Sequence, residues 1–225
     1  NLQTPSSVSP STTGVIIGDM AQPVTTRPPK QRRSRVTGDR ILDATERLLA
    51  TAGVAGLDLR AVCAEAGLTT GAVYSRFSGK EGLLDALFER FERRARAESE
   101  AYLHFIEQGK FLREPVALDE FIGLLDRVYT ASGALIAALI EGSYQRPQLG
   151  RRAAAMMDEA AQLLLTAVRQ QGTRVDRGSA AAATRLAFAW FDQQLFLDRI
   201  GIPRHSDAST ATLRHAMLGV LGSAA

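Results

Sequence analysis

Between Asp58 and Lys80 the chain reads DLRAVCAEAGLTTGAVYSRFSGK, which brings threonines, serines, a tyrosine and three cations into 23 residues. Short hydroxyls and a phenol can donate to or accept from phosphates and base edges. A methyl such as that of Ala72 can touch a thymine methyl, and guanidinium or ammonium groups neutralise phosphate. This is chemistry for recognising a polyanion rather than for breaking bonds. The apolar letters of the same stretch, Val62, Ala66, Leu68 and Val73, recur at helical spacing on either side of Gly67. They predict two short helices locked together across a sharp turn, with the second held out where it can enter a major groove. Its outward positions are Thr69, Thr70, Ala72, Tyr74, Ser75 and Arg76, and Gly71 suits close backbone approach. Lys80 stands at a helix N-terminus, where its ammonium and the free backbone N–H groups could clamp one phosphate. Plainer roles exist for several of these groups. Tyr74 can pack part of its ring on the core, Arg76 can be a solvated charge, and Cys63 reads as a small buried filler.

Constellations for other chemistry are missing from the sequence. His104, His205 and His215 are not spaced for a shared metal, and the single cysteine cannot help them. Asp158 and Glu159 are adjacent on a helix and point apart. No strand precedes a glycine-rich phosphate loop. An enzyme is not expected, nor any metal or cofactor. No run approaches the roughly 18 apolar residues of a membrane span. Val15–Ile17 is too short for a signal peptide. One cysteine excludes an internal disulfide and fits a reducing cytoplasm.

The elements that must position the cluster follow from periodicity. Residues 1–30 are rich in Pro, Ser and Thr and read as a disordered leader, within which Met20 is a candidate start. The segment 27–40 carries six basic side chains (Arg27, Lys30, Arg32, Arg33, Arg35 and Arg40) against Asp39, a net +5. That exceeds the net +3 of the whole chain, so the positive excess lies at this end. From Thr37, a candidate N-cap, Ile41, Leu42, Ala44, Leu48 and Leu49 mark a helix that stops at Gly53. Asp58 caps the next helix and Gly67 ends it; a third runs from Thr69 to about Phe77. Ser78–Glu81 reads as a capping box opening a fourth helix striped with Leu83, Leu84, Leu87, Phe88 and Phe91. Helices are then expected near 84–108, 118–131, 133–145, 150–171, 178–200 and 208–222, with breaks at Pro115, Gly133, Pro147, Gly172 and Pro203. The fold class is all-α: a three-helix DNA-binding module over 31–82 and a larger helical domain over 83–225.

The residues Ala44, Leu48 and Gly53, then Leu59–Val62, Ala66–Gly71, Val73, Tyr74, Phe77 and Lys80–Leu84, resemble the N-terminal domain of tetracycline-repressor-type (TetR family) regulators. The resemblance as a motif covers roughly 37–84. It implies that Thr69, Thr70, Ala72 and Tyr74 face DNA, and that Arg60 and Lys80 touch its backbone or base edges. Asp58 stands in place of the family's usual threonine cap. Ser75 and Arg76 replace its usual aromatic or histidine pair, which bears on the operator sequence rather than the mode of binding.

A reader this small gains affinity by dimerising on a pseudo-palindrome. The last two helices supply Ala187, Phe191, Leu195, Phe196, Leu213 and Met217, which are either contacts to a second copy or plain core. The resemblance favours a four-helix dimer interface. It also implies a small-molecule effector among the middle helices, acting by a tilt of the fourth. Side chains large enough to line such a site are Tyr102, Phe105, Phe121, Leu125, Tyr129, Tyr144, Met156, Met157, Phe188 and Trp190. Their mix leans toward a hydrophobic ligand. The function expected is a dimeric, ligand-responsive DNA-binding regulator, a repressor released by its effector. Two rivals stay open. One is an effector-independent DNA-organising or cell-division protein with a solid core. The other is a helical enzyme or carrier whose basic arm is incidental.

Overall fold

The computed structural model describes residues 30–108, 114–144, 146–202 and 207–222. Among the described residues every regular element is an α-helix: α1 (Lys30–Ala52), α2 (Leu59–Ala66), α3 (Thr70–Tyr74), α4 (Gly79–Glu107), α5 (Glu114–Ser143), α6 (Pro147–Gln170), α7 (Arg177–Arg199) and α8 (Asp207–Gly222). The leader, and the side chains of Lys30, Arg32, Arg33 and His205, lie outside what is described.

Helices α1–α3 close on a small core of Ile41, Leu49, Val62, Cys63 and Val73, to which α4 adds Leu83 and Leu87. Two glycines make the turns. Gly53 (φ 65°) ends α1 and Gly67 (φ 61°) ends α2, both in the left-handed region that L side chains avoid. Polar ties complete the module. Arg40 donates to the Ala66 carbonyl at 2.7 Å, and Arg47 pairs with Glu65 at 2.7 Å. Arg40, counted above with the basic arm, therefore fastens α1 to the end of α2. Helix α1 also begins seven residues before the expected cap at Thr37, so part of that arm is helical.

The remaining helices pack around α5, which touches α1, α4, α6, α7 and α8. Its Val116–Ser143 stretch is long and apolar enough to cross a membrane, contrary to the expectation that no run approached that composition. Over half of its most apolar window (56%) is buried by neighbouring helices, which is the situation of a core helix. The break expected at Gly133 is a kink instead: Ser132 adopts φ −133°, ψ 15° and the helix resumes. Pro147 opens α6 at its first turn, where its missing N–H costs nothing. The expected domain boundary at residue 82 falls inside α4. That helix is about 43 Å long at 1.5 Å per residue, and it runs from the small module into the larger helical body.

Candidate nucleic-acid interface

Helix α3 projects from the module because only its inner edge is apolar. Val73 is fully buried, while Thr69, Thr70, Gly71, Ser75 and Arg76 are exposed and Tyr74 keeps 61% of its surface in solvent. Ala72 is half-buried, and Arg60 is exposed at the first turn of α2. The helix spans five residues rather than the nine expected, because Ser75 is already its C-cap and Phe77 lies in the following turn. Thr69 is the N-cap: its Oγ1 accepts from the Ala72 N–H at 3.3 Å. Ser75 donates to the Ala72 carbonyl, and Arg76 folds back on the same oxygen. Thr70 and Tyr74 are the long or polar groups of α3 whose reach is outward, four residues apart and therefore on one face.

Two expected caps work through the backbone alone. Neither Asp58 nor Ser78 makes a side-chain cap hydrogen bond. Ser78 Oγ instead lies against Gly82, where an added Cβ would collide with it, so the capping box is not formed. Lys80 is half-buried and donates to the Val54 carbonyl at 2.7 Å, which ties α4 to the α1–α2 turn.

Residues 41–87 match the family described as bacterial regulatory proteins, tetR family. The N-terminal module is similar to that of the tetR family. That family is described as regulatory proteins, so the likeness points the helix-turn-helix toward regulation by DNA binding. Similar solved structures extend the likeness of fold to most of the chain. A TetR family transcription regulator from Marinobacter aquaeolei aligns with a TM-score of 0.60 and 20% identity, covering 85% of this chain and 98% of that one. The multidrug binding protein EbrR, complexed with imidazole, gives 0.60 and 21% over 82% of this chain and 94% of its own. PfmR, a TetR family transcriptional regulator from Thermus thermophilus, gives 0.58 and 20%, with 81% and 97% covered. No curated protein matches the chain.

Behind the tetR-type module, α4, α5, α6 and α7 enclose a cavity of about 550 Å³, well within the range of small-molecule sites. Of the residues named for an effector site, Leu125, Tyr129, Met156, Met157 and Phe188 lie on its wall. The other expected lining residues are placed differently. Tyr102 and Phe121 are core, packed edge to face, and the Tyr102 hydroxyl donates to the Ala117 carbonyl. That burial raises the Tyr102 pKa beyond its ordinary value. Phe105 is half-buried outside the cavity wall. Tyr144 is 85% exposed in the α5–α6 turn. Trp190 lines a separate small pocket together with Phe191, Gln194 and Thr210. The walls that sequence reading missed are Phe88 and Phe91 of α4, Val128 and Leu139 of α5, and Asp192 of α7. Beside Phe88, Arg152 lies over the ring at 4.2 Å and forks onto Glu92 with bonds of 2.7 and 3.1 Å.

Packing within the single chain also distinguishes the faces of α7 and α8. Ala187, Phe191, Leu195, Leu213 and Met217 are buried within the single chain, so they are not available to a second copy. They pack α7 onto α5, α6 and α8. Phe196, by contrast, is 60% exposed. It belongs to an outward stripe with Leu186, Ala189, Gln193 and Ile200, all at helical spacing along α7.

Proposed function

We propose that this chain is a homodimeric repressor that grips an operator through α3 and is released by a small molecule bound between α4, α5, α6 and α7. The carrying observation is the pairing of a fully buried Val73 with an outward Thr70 and Tyr74 on the same short helix. A helix so anchored presents base-reading groups without loss of its own packing. Residues 31–82 form the reading module in this account, with Thr69, Thr70, Gly71, Ala72, Tyr74 and Ser75 facing the groove and Arg60 and Lys80 the phosphates. The setting is the cytoplasm.

Dimerisation is carried by the outer stripe of α7 rather than by its buried face. Leu186, Phe196 and Ile200 are large apolar groups left in water by the single chain, and the exposed side of α8 includes the small Ala211, Ala216 and Gly219 beside Thr212 and His215. Small residues beside large ones let two helix pairs close on each other. The cavity favours a ligand-responsive protein over an effector-independent one, whose interior would be filled. Helix α4 links the two ends. Its Phe88 and Phe91 wall the cavity, its Leu83 and Leu87 sit in the module core, and Arg90 and Arg94 pair with Asp43 and Glu46 of α1. A ligand that prefers one tilt of α4 shifts the module with it by its differential affinity for the two states.

The test is duplex selection from genomic fragments, followed by titration of the selected duplex with and without candidate apolar compounds. Saturable, salt-sensitive binding that a compound abolishes supports the reading. Absence of duplex affinity at low salt sinks it.

A further inference from the structure

The reading of the cavity as an effector site leaves the class of effector open, and its lining narrows it. The interior is overwhelmingly apolar, with rings of Phe88, Phe91, Phe188 and Tyr129 among the walls. Besides the exposed Arg96, Glu100, Glu159 and Gln162 and the half-buried Ser99, two polar features interrupt it. One is the Arg152–Glu92 fork, in which each charge answers the other. The other is Asp192, whose carboxylate accepts from the Tyr129 hydroxyl at 2.6 Å and sits on the cavity wall. A phenol supplies a hydrogen bond but no positive charge. Burial pushes the Asp192 carboxyl above its ordinary pKa, with the Tyr129 bond only partly opposing. Around the whole lining, four carboxylates (Glu92, Glu100, Glu159 and Asp192) face two guanidiniums (Arg96 and Arg152). An anionic guest would meet Asp192 with nothing to offset it, whereas a cation would neutralise it and lie against ring faces.

We infer that the cavity takes a lipophilic cation, an amine or quaternary ammonium, with its charged nitrogen against Asp192 and its apolar body along Phe91, Val128 and Phe188. The inference rests on the effector reading for its biological meaning, but its chemistry can be measured separately. Tyr129 has a positioning role. It is stacked on Phe191 at 5.0 Å and edge-on to Phe188, so it holds the carboxylate in one orientation while presenting its own ring.

The experiment is calorimetric titration of the full chain with decyltrimethylammonium, decanol and decanoate below their aggregation limits. These share a tail and differ in the charge of the head. The ammonium is expected to bind at least about tenfold more tightly than the other two. Asp192→Asn should remove that preference while leaving decanol binding as it was, and Tyr129→Phe should retain the preference. Decanol or decanoate binding as tightly as the ammonium to the parent chain overturns the inference without use of any variant. So does an Asp192→Asn chain that loses decanol as well, since the residue would then be structural. If none of the three binds, the inference fails and the effector reading loses its support. If the ammonium binds preferentially but leaves duplex affinity unchanged, the cation site stands and the effector reading alone fails.

Discussion

Gly71 occupies a helical position that the chain's own packing does not require to be empty. The nearest atom an added Cβ would meet is Thr69 Oγ1, at 4.0 Å. Glycine in a helix costs about 0.5–1 kcal/mol relative to alanine, and no intramolecular contact here offsets that. An approaching backbone or phosphate would. Gly71→Ala should therefore raise the melting temperature slightly while weakening duplex binding; a variant that binds like the parent removes Gly71 from the interface. Lys80 shows the opposite balance. Because its ammonium bonds the Val54 carbonyl, Lys80→Ala should cost about 1 kcal/mol of stability and also flatten the salt dependence of binding by about one unit of slope. An unchanged slope would leave Lys80 with the structural role alone. Asp192 makes a third test. A carboxyl whose folded pKa lies above its ordinary 3.8 destabilises the fold wherever it is ionised. That cost is full above the folded pKa and vanishes as pH falls below the ordinary value. Asp192→Asn should thus melt higher than the parent at neutral pH, with the gap closing in acid; a gap independent of pH contradicts the burial argument.

At the scale of elements, α7 carries two apolar faces, and they should respond differently to charge. Phe196→Glu or Ile200→Glu should yield a folded monomer with poor duplex affinity, measurable by sedimentation. Leu195→Glu, placed in the core, should prevent folding instead. A stable dimer from the first pair would move the interface elsewhere. This same helix explains what sequence reading could and could not extract. The helix-turn-helix was legible because its signals are local: Gly67 at a left-handed turn, Thr69 as cap, Val73 alone inward. The inner and outer faces of α7 were not, since Phe191 and Phe196 are the same letter and only the packing of α5, α6 and α8 tells them apart. The cavity was less legible still. Phe88 and Phe91 lie on a stripe that reads as ordinary core, and a void is written in no residue. Tyr144 and Trp190 were attractive by size, but size says nothing of which side of a helix a neighbour will cover. Asp192 could have been found by its place among Phe188, Trp190 and Phe191, an acid set within an aromatic run.

At the scale of the whole molecule, α3 is proposed to read DNA and everything behind it to place and move it. Helix α4 is the mechanical link, held to α1 by Arg90 and Arg94 and to α6 through Glu92 and Arg152. In the proposed function, its shared membership of both units would let a change in the cavity reach α3. The most direct measurement is fluorescence anisotropy on the duplex recovered by genomic selection, comparing the parent chain with Thr70→Ala and Tyr74→Ala. Each substitution should weaken specific binding by about 1–3 kcal/mol, with the melting temperature and dimer unchanged, because both side chains point into solvent. If both variants bind the selected duplex as tightly as the parent, α3 is not the reading helix and the account fails at its centre.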